Sequence, residues 1–367
     1  MLPVPFRIPA SSPFRQAYKS ILGKGPRVLP CTRQSRHFIA VMPARESNNT
    51  PPKVDFGFEL SPMPTNPLGE GKCIRTAAAL IIGDEILNGK TLEANSHFFA
   101  KYCFEHGIEL KRIEVIADDE AEIIEASQRM VKNYDFVVTS GGIGPTHDDI
   151  TYASLAKAFG QGLAHHTETL RRLDEMNKHR PWISSQTKLQ REATQRMALF
   201  PERAEVIFVG SDIWVPVVRL EGKLCIFPGI PKLFQIMLTQ LTQFLPLPPP
   251  SERPLRIQIF TDRPESMIAP YLTTLQARLK SCGIRVGSYP VLGIGVFVSL
   301  IGRPVFNSPE CITNVVKEVE REIGGKIYNE KQVAEKKKEG AISPLVGSRA
   351  VTATNFTCTT SPIKAKI

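Results

Sequence analysis

Ser140-Gly141-Gly142-Ile143-Gly144-Pro145-Thr146-His147-Asp148-Asp149 combines the means to hold an anion with two adjacent carboxylates. Glycines at 141, 142 and 144 let the backbone approach a ligand closely and adopt positive φ. The loop amides and the start of a following helix would then cradle phosphate. Thr146, three residues ahead of Asp149 and a helical run, reads as an N-terminal cap. A plain turn also accounts for the GGxGP spacing, and the loop is not a P-loop because no Gly-Lys-Ser/Thr follows. Asp148 and Asp149 would repel a phosphate unless a cation lay between them. Magnesium-type ions meet that need with one or two carboxylates and phosphate oxygens. Both are therefore candidate metal ligands and catalytic groups, with helix capping as the alternative use, above all for Asp149. Asp118, beside Asp119, and Glu85, in Gly83-Asp84-Glu85-Ile86-Leu87-Asn88-Gly89, place further acids in two other loops. Acids converging on a phosphate cradle point to metal-assisted phosphoryl or pyrophosphate chemistry. His147 is a candidate base or a solvated bystander. Lys188 and Arg191 are candidates to meet an anionic substrate, or solvent-facing helix charges.

The elements around these loops follow from periodicity. RTAAALIIGDEI is a buried strand closing on Gly83. Leu92, Asn95, Phe98, Phe99, Tyr102 and Cys103 recur at helical spacing over 91–106, and Gly107 stops the helix. Residues 108–116 alternate as a strand, and Asp118-Asp119 precede a helix over 120–132. Residues 135–139 form a short buried strand leading into the glycine-rich loop, and a helix follows over 149–159. This β-α-β-α-β-α rhythm predicts a parallel sheet with helices on both faces. In such sheets ligands bind at the C-terminal strand ends, where the three loops fall. Residues 167–199 are polar and helical, an excursion or lid. LCIFPGIPKLFQIML supplies a last strand, a Pro-Gly loop and a closing helix. The segments after residue 254 read β-α-β-β-α, a small α+β domain.

The predicted organisation is a basic, Pro-rich segment and linker over 1–72, an α/β domain over 73–244, a Pro-rich linker over 245–254, an α+β domain over 255–328 and a disordered tail over 329–367. The net charge of +10 resides in the ends of the chain: +8 over 1–45 and +4 over 329–367, which leaves −2 for 46–328. A core so balanced has no bulk electrostatic reason to bind nucleic acid. No run approaches the ~18 apolar residues of a membrane span. Seven cysteines without a CxxC pair argue against a zinc ribbon or disulfide framework and for a reducing compartment. Residues 1–45 hold no acid and suit a mitochondrial transit peptide. Their prolines oppose a long presented helix, and a start at Met42 would delete the signal, so mitochondrial and cytoplasmic destinations both stay open.

GDEILNGKTLEAN, IADDEAEI, VVTSGGIGPTHDD and FPGIPKLF, in this order, resemble the molybdopterin-binding domain of molybdenum-cofactor biosynthesis proteins. The likeness covers about 74–325. It is closest to the competence-damage-inducible protein A branch and to the N-terminal domain of animal-type FAD synthase. GPTHDD and IRVGSYP favour the latter. The resemblance implies a small-molecule nucleotide or pterin ligand. In the two closer branches it implies hydrolysis of FAD or ADP-ribose at the pyrophosphate with Mg²⁺, Mn²⁺ or Co²⁺. Molybdopterin binding without turnover, or a part in molybdenum-cofactor biosynthesis, is the alternative it leaves. The family's glycine-rich loop falls on Gly141, Gly142, Gly144 and Pro145, its acidic positions on Asp148, Asp149 and Asp118, and its first-loop acid on Glu85. Asn95 and the loop of Pro228, Gly229 and Pro231 also match. With Gly83, Ser140 and Thr146 these complete the expected substrate-binding set. Ile143 stands where the adenylyltransferase-type loop usually carries Thr, so adenylylation is not expected. No counterpart of the FAD-synthesising or amidase domains follows, so FAD synthesis is not expected either. The resemblance and a β-rich second domain also predict a homo-oligomer.

Overall fold

The computed structural model describes residues 56–178, 180–302 and 309–342. The proposed targeting segment and the end of the chain lie outside them. Four strands carry the larger sheet's parallel part: β1 (Thr76–Ile82), β2 (Glu109–Ile116), β3 (Phe136–Ser140) and β8 (Leu224–Phe227). The sheet order is β2-β1-β3-β8-β7-β6, with β6 at Glu205–Ile207 and β7 at Val217–Leu220. A short pair, β4 (Leu163–His165) and β5 (Leu199–Pro201), lies outside this sheet.

β1 shows why the core is two-layered. Its side chains alternate between faces: Ala77, Ala79 and Ile81 enter one core cluster, Ala78, Leu80 and Ile82 the other. The first cluster is closed by α2 (Asn95–Glu105) and α7 (Pro231–Leu241), through Phe99, Tyr102, Phe234 and Met237. The second is closed by α3 (Glu120–Asn133) and α4 (Thr151–Ala158), through Ile123, Met130, Tyr152 and Leu155. One turn of helix, α1 (Asp84–Leu87), follows β1, and α5 (Thr167–Asn177) and α6 (Lys188–Gln195) form the polar excursion.

The sheet is mixed and not wholly parallel. β7 runs antiparallel to both β6 and β8. The reversal is a tight turn at Leu220–Lys223, where Glu221 and Gly222 take φ of 50° and 66° and the Lys223 amide donates to the Leu220 carbonyl. Two successive positive φ values give the hairpin turn whose twist matches that of its strands.

Two segments read as linkers are packed in part. Phe58 is buried, stacks on Phe56 and ties to Ser211 by its amide. Arg172 lies 3.6 Å from the centre of the Phe208 ring and donates to the Glu59 carbonyl. In the second, Pro246 accepts from the Ile74 amide, and Leu245 and Leu247 pack on the first core. A Pro-rich composition leaves the second segment only a 3-10 turn at Pro250–Glu252 but does not prevent burial of the apolar residues between the prolines.

The second sheet has the order β10-β11-β9-β12, all antiparallel: β9 (Leu255–Thr261), β10 (Arg285–Val291), β11 (Gly295–Gly302) and β12 (Lys326–Tyr328). Helices α8 (Glu265–Leu279) and α9 (Pro309–Ile323) close its core with Ile268, Leu272, Leu275 and Val319. Residues 330–342, expected to lack regular structure, form α10 (Glu330–Ile342), with Val333 buried. Asn329 at its start exchanges hydrogen bonds with Gln332, a capping-box geometry that nucleates a helix despite the lysine run.

Candidate active site

The C-terminal ends of β1, β2, β3 and β8 bring four loops to one edge of the sheet. Gly83 at the first donates its amide to the Ile116 carbonyl at the second, and Gly141 at the third donates to Phe227 at the fourth. Gly141 has φ 114°, and a Cβ there would lie 2.0 Å from the Ile82 carbonyl oxygen. No other residue fits, which is why the loop begins with glycine. At Gly142, φ 63°, a Cβ would meet the Thr151 hydroxyl at 2.3 Å and an Asp118 carboxylate oxygen at 3.3 Å. Asp118 therefore stands against the glycine backbone, though 24 residues separate the two in sequence.

Thr146 does not cap the helix. α4 starts at Thr151, five residues later, because a turn closed by the Ile150 amide on the Asp148 carbonyl intervenes. Asp149 instead staples the loop. Its Oδ1 accepts from the Gly144 amide at 2.6 Å and its Oδ2 from the Thr146 amide at 2.8 Å. The Thr146 hydroxyl lies 2.6 Å from Asp149 Oδ2 and 2.5 Å from Asp148 Oδ1. The amides of Gly142 and Ile143 carry no hydrogen bond within the described residues. They are among the donors this loop offers to an anion.

Asp118 accepts the Asp84 amide at 3.0 Å. Partial burial, with the Asp84, Glu85 and Asp148 carboxylates adding to it, holds its carboxyl above the usual carboxylate range against the pull of that amide. Asp148 is exposed, and its hydrogen bond from Thr146 holds it below its ordinary value. Glu85 folds back over Gly83, its Oε2 2.8 Å from where a Cβ would sit.

Among the described residues, no three His, Cys, Asp or Glu side chains converge as a metal cage. Asp149, committed to loop donors, is a poor ligand. The donor set fits a hard divalent ion only in the mode that uses one or two carboxylates and completes its shell with water and phosphate. Asp118 and Asp148 are the candidates for it.

Asn95 ties the crevice together. It is 4% exposed. Its Nδ2 donates to the Ser140 hydroxyl at 2.8 Å and to the Gly229 carbonyl at 2.9 Å, which bridges the ends of β3 and β8. Its Oδ1 is buried without a partner, a costly state that a ligand N–H or O–H would relieve. The Ser140 hydroxyl also donates to the buried Pro228 carbonyl at 3.4 Å.

Lys188 and Arg191 do not reach this edge. Lys188 pairs with Glu192 at 3.8 Å, and Arg191 donates to the Gln186 carbonyl. Arg196, which sequence reasoning missed, donates to the Pro145 carbonyl at 2.6 Å. Nothing in its local pattern separates it from Lys188 or Arg191.

A family model described as a probable molybdopterin binding domain matches residues 78–247. Protein PH0439 of Pyrococcus horikoshii is 32% identical over 255 residues, 66% of this chain and 94% of that one. A probable FAD synthase of Caenorhabditis elegans is 34% identical over 238 residues, 59% of this chain and 44% of the relative. A CinA-like protein of Geobacter metallireducens is 33% identical over 170 residues, 44% of this chain and 38% of the relative. The chain thus spans less than half the length of the FAD synthase and CinA-like relatives. With four glycine- and acid-bearing loops gathered at one sheet edge and a match over nearly all of PH0439, the chain belongs to the molybdopterin-binding domain superfamily, among relatives named FAD synthase and CinA-like.

Proposed function

We propose that this crevice hydrolyses the pyrophosphate of a nucleotide such as FAD or ADP-ribose with the help of a divalent cation. The observation that carries the reading is Asp118: a carboxyl of raised pKa set against Gly142, beside the free amides of Gly142 and Ile143. An anion-binding pocket without chemistry to do gains nothing from acids at its centre. A bound Mg²⁺, Mn²⁺ or Co²⁺ would screen these acids from the phosphates and polarise a phosphoryl oxygen. Asp118, set against Gly142 beside the phosphate cradle, takes a proton from water as the water oxygen attacks one phosphorus. The bridging P–O bond breaks, and its electron pair leaves with the second phosphate. The Gly142 and Ile143 amides donate to the phosphoryl oxygen that gains charge. Asp149 keeps the loop in shape for them.

One observation favours a second reading, binding of a pterin or nucleotide without turnover. The unpartnered Asn95 Oδ1 is built to receive a donor and needs no metal. Incubating the full chain with a dinucleotide panel and each of the three metal ions tests the choice. Mononucleotide release by the wild type, with a loss of about 10²-fold in kcat for Asp118→Ala or Asp148→Ala, supports hydrolysis. Tight binding with no product supports the second reading. The open edges of the smaller sheet also support self-association of the chain.

A further inference from the structure

The glycine-rich loop is ringed by acids, yet its expected ligand is an anion. The chain must offset that mismatch somewhere, and the residue that follows α6 carries the group that does so. We propose that Arg196 is a phosphate-binding residue of the crevice, held at the loop and delivered to the ligand's pyrophosphate; this rests on the reading of the crevice as a nucleotide-pyrophosphate site.

Three observations carry it. First, among the described residues Arg196 is the basic side chain hydrogen-bonded to the glycine-rich loop, through Nη2 to the Pro145 carbonyl at 2.6 Å. Second, its charge is not spent. No carboxylate lies within ion-pair distance of it among the described residues, although Lys188, Arg171, Arg172 and Lys178 on the same excursion all have one. A guanidinium has five donors in a planar fork. The Pro145 carbonyl engages one nitrogen and leaves the rest for a bidentate oxyanion.

Third, Arg196 stands on a firm base beneath a loosely seated helix. Two residues on, Ala198 is fully buried and its carbonyl accepts the His166 amide at 2.8 Å. Phe200 packs on Tyr152 of α4, the helix that follows the glycine-rich loop. The reach of Arg196 toward that loop is therefore set by the same core that sets the loop. On its other side, α6 buries no residue and borders an open cavity of about 400 Å³ lined by His165, Leu189, Glu192 and Arg196 itself. The space leaves the side chain free to swing from a neutral carbonyl to a charged phosphate, an exchange that strengthens the hydrogen bond.

The test compares equilibrium binding of FAD, ADP-ribose and inorganic pyrophosphate with that of riboflavin and adenosine, in metal-free buffer, to the full chain and to Arg196→Gln and Arg196→Lys. Arg196→Gln keeps a donor for Pro145 but loses the charge. The expected result is at least about tenfold weaker binding of the three phosphorylated probes to Arg196→Gln, the scale of one charge-assisted hydrogen bond. Arg196→Lys should recover most of the affinity, riboflavin and adenosine should be unaffected, and the melting temperature should not move. Unchanged affinity for the phosphorylated probes overturns the proposal, as does an equal loss for the uncharged ones, which marks Arg196 as a loop prop only. Binding that depends on Arg196 with no product under any metal leaves the proposal standing and overturns hydrolysis. Hydrolysis with unchanged affinity in Arg196→Gln does the reverse, and failure of pyrophosphate to bind the wild type both without metal and with Mg²⁺ overturns both.

Discussion

Asp118 and Asp149 show how two identical side chains in one crevice take different parts. Asp149 gives both oxygens to loop donors, and its role is complete within the fold. Asp118 accepts one amide, and partial burial, with like charges beside it, keeps its pKa raised. The linkage sign follows. A carboxyl whose folded pKa lies above its unfolded value binds its proton more tightly in the native state, so ionisation penalises the fold. The penalty is absent below the ordinary carboxylate pKa of about 4 and complete above the raised value. Asp118→Asn keeps the acceptor for the Asp84 amide and removes the charge. It should melt at a higher temperature than wild type at pH 7, with the gap closing as the pH falls to about 4. Thermal unfolding across that range, without metal, measures it. A gap independent of pH would mean that Asp118 carries no electrostatic penalty.

At the scale of elements, the segment before β1 is held by α5 as well as by backbone hydrogen bonds to Phe208 and Ser211. Arg172 is 3% exposed and joins Phe208, Glu59 and Glu168. Its loss removes a desolvated cation–π contact and two hydrogen bonds. Arg172→Ala should destabilise the chain by about 2–3 kcal/mol, read from urea unfolding, and Arg172→Lys should recover little because the planar fork is what fits. Hydrogen bonds from Arg171 and Arg172 pull Glu168 down to about 2. A depressed carboxylate contributes stability that is present above its unfolded pKa and lost as the pH falls toward the folded value. The wild type should therefore shed this contribution between about pH 4.5 and 2, and Arg172→Ala should shed less of it.

For the whole molecule, the two sheets differ in how they end. The larger gathers its candidate site in loops at the C-terminal ends of its parallel strands. The smaller leaves β10 and β12 at its edges, with Tyr289, Leu292 and Ile327 at least half exposed. Unprotected edges with apolar side chains invite pairing with a second copy. Light scattering of the full chain at micromolar concentration should report a dimer or larger. Tyr289→Lys with Leu292→Lys should shift it to monomer if the β10 edge is the contact. A wild-type monomer would count against self-association.

What this sequence determined by itself is local. Apolar period marked β1 and β3 as buried strands, and 3.6-residue spacing marked α2 and α3. Three glycines and their acids marked the loop, because positive φ and close backbone approach are properties of a few adjacent residues. The tertiary structure decided every relation across the sheet edge: Asp118 against Gly142, Asn95 between Ser140 and Gly229, and Arg196 on Pro145. It also decided that Asp149 staples the loop while Thr146 caps no helix, that β7 turns back at Glu221-Gly222, and that the Phe56–Phe58 segment packs instead of linking. The physical reason is common to all of them. Strand order sets which loops become neighbours, and burial sets which of several similar charges is left without a partner. Neither is a function of the residues that flank a position in the chain.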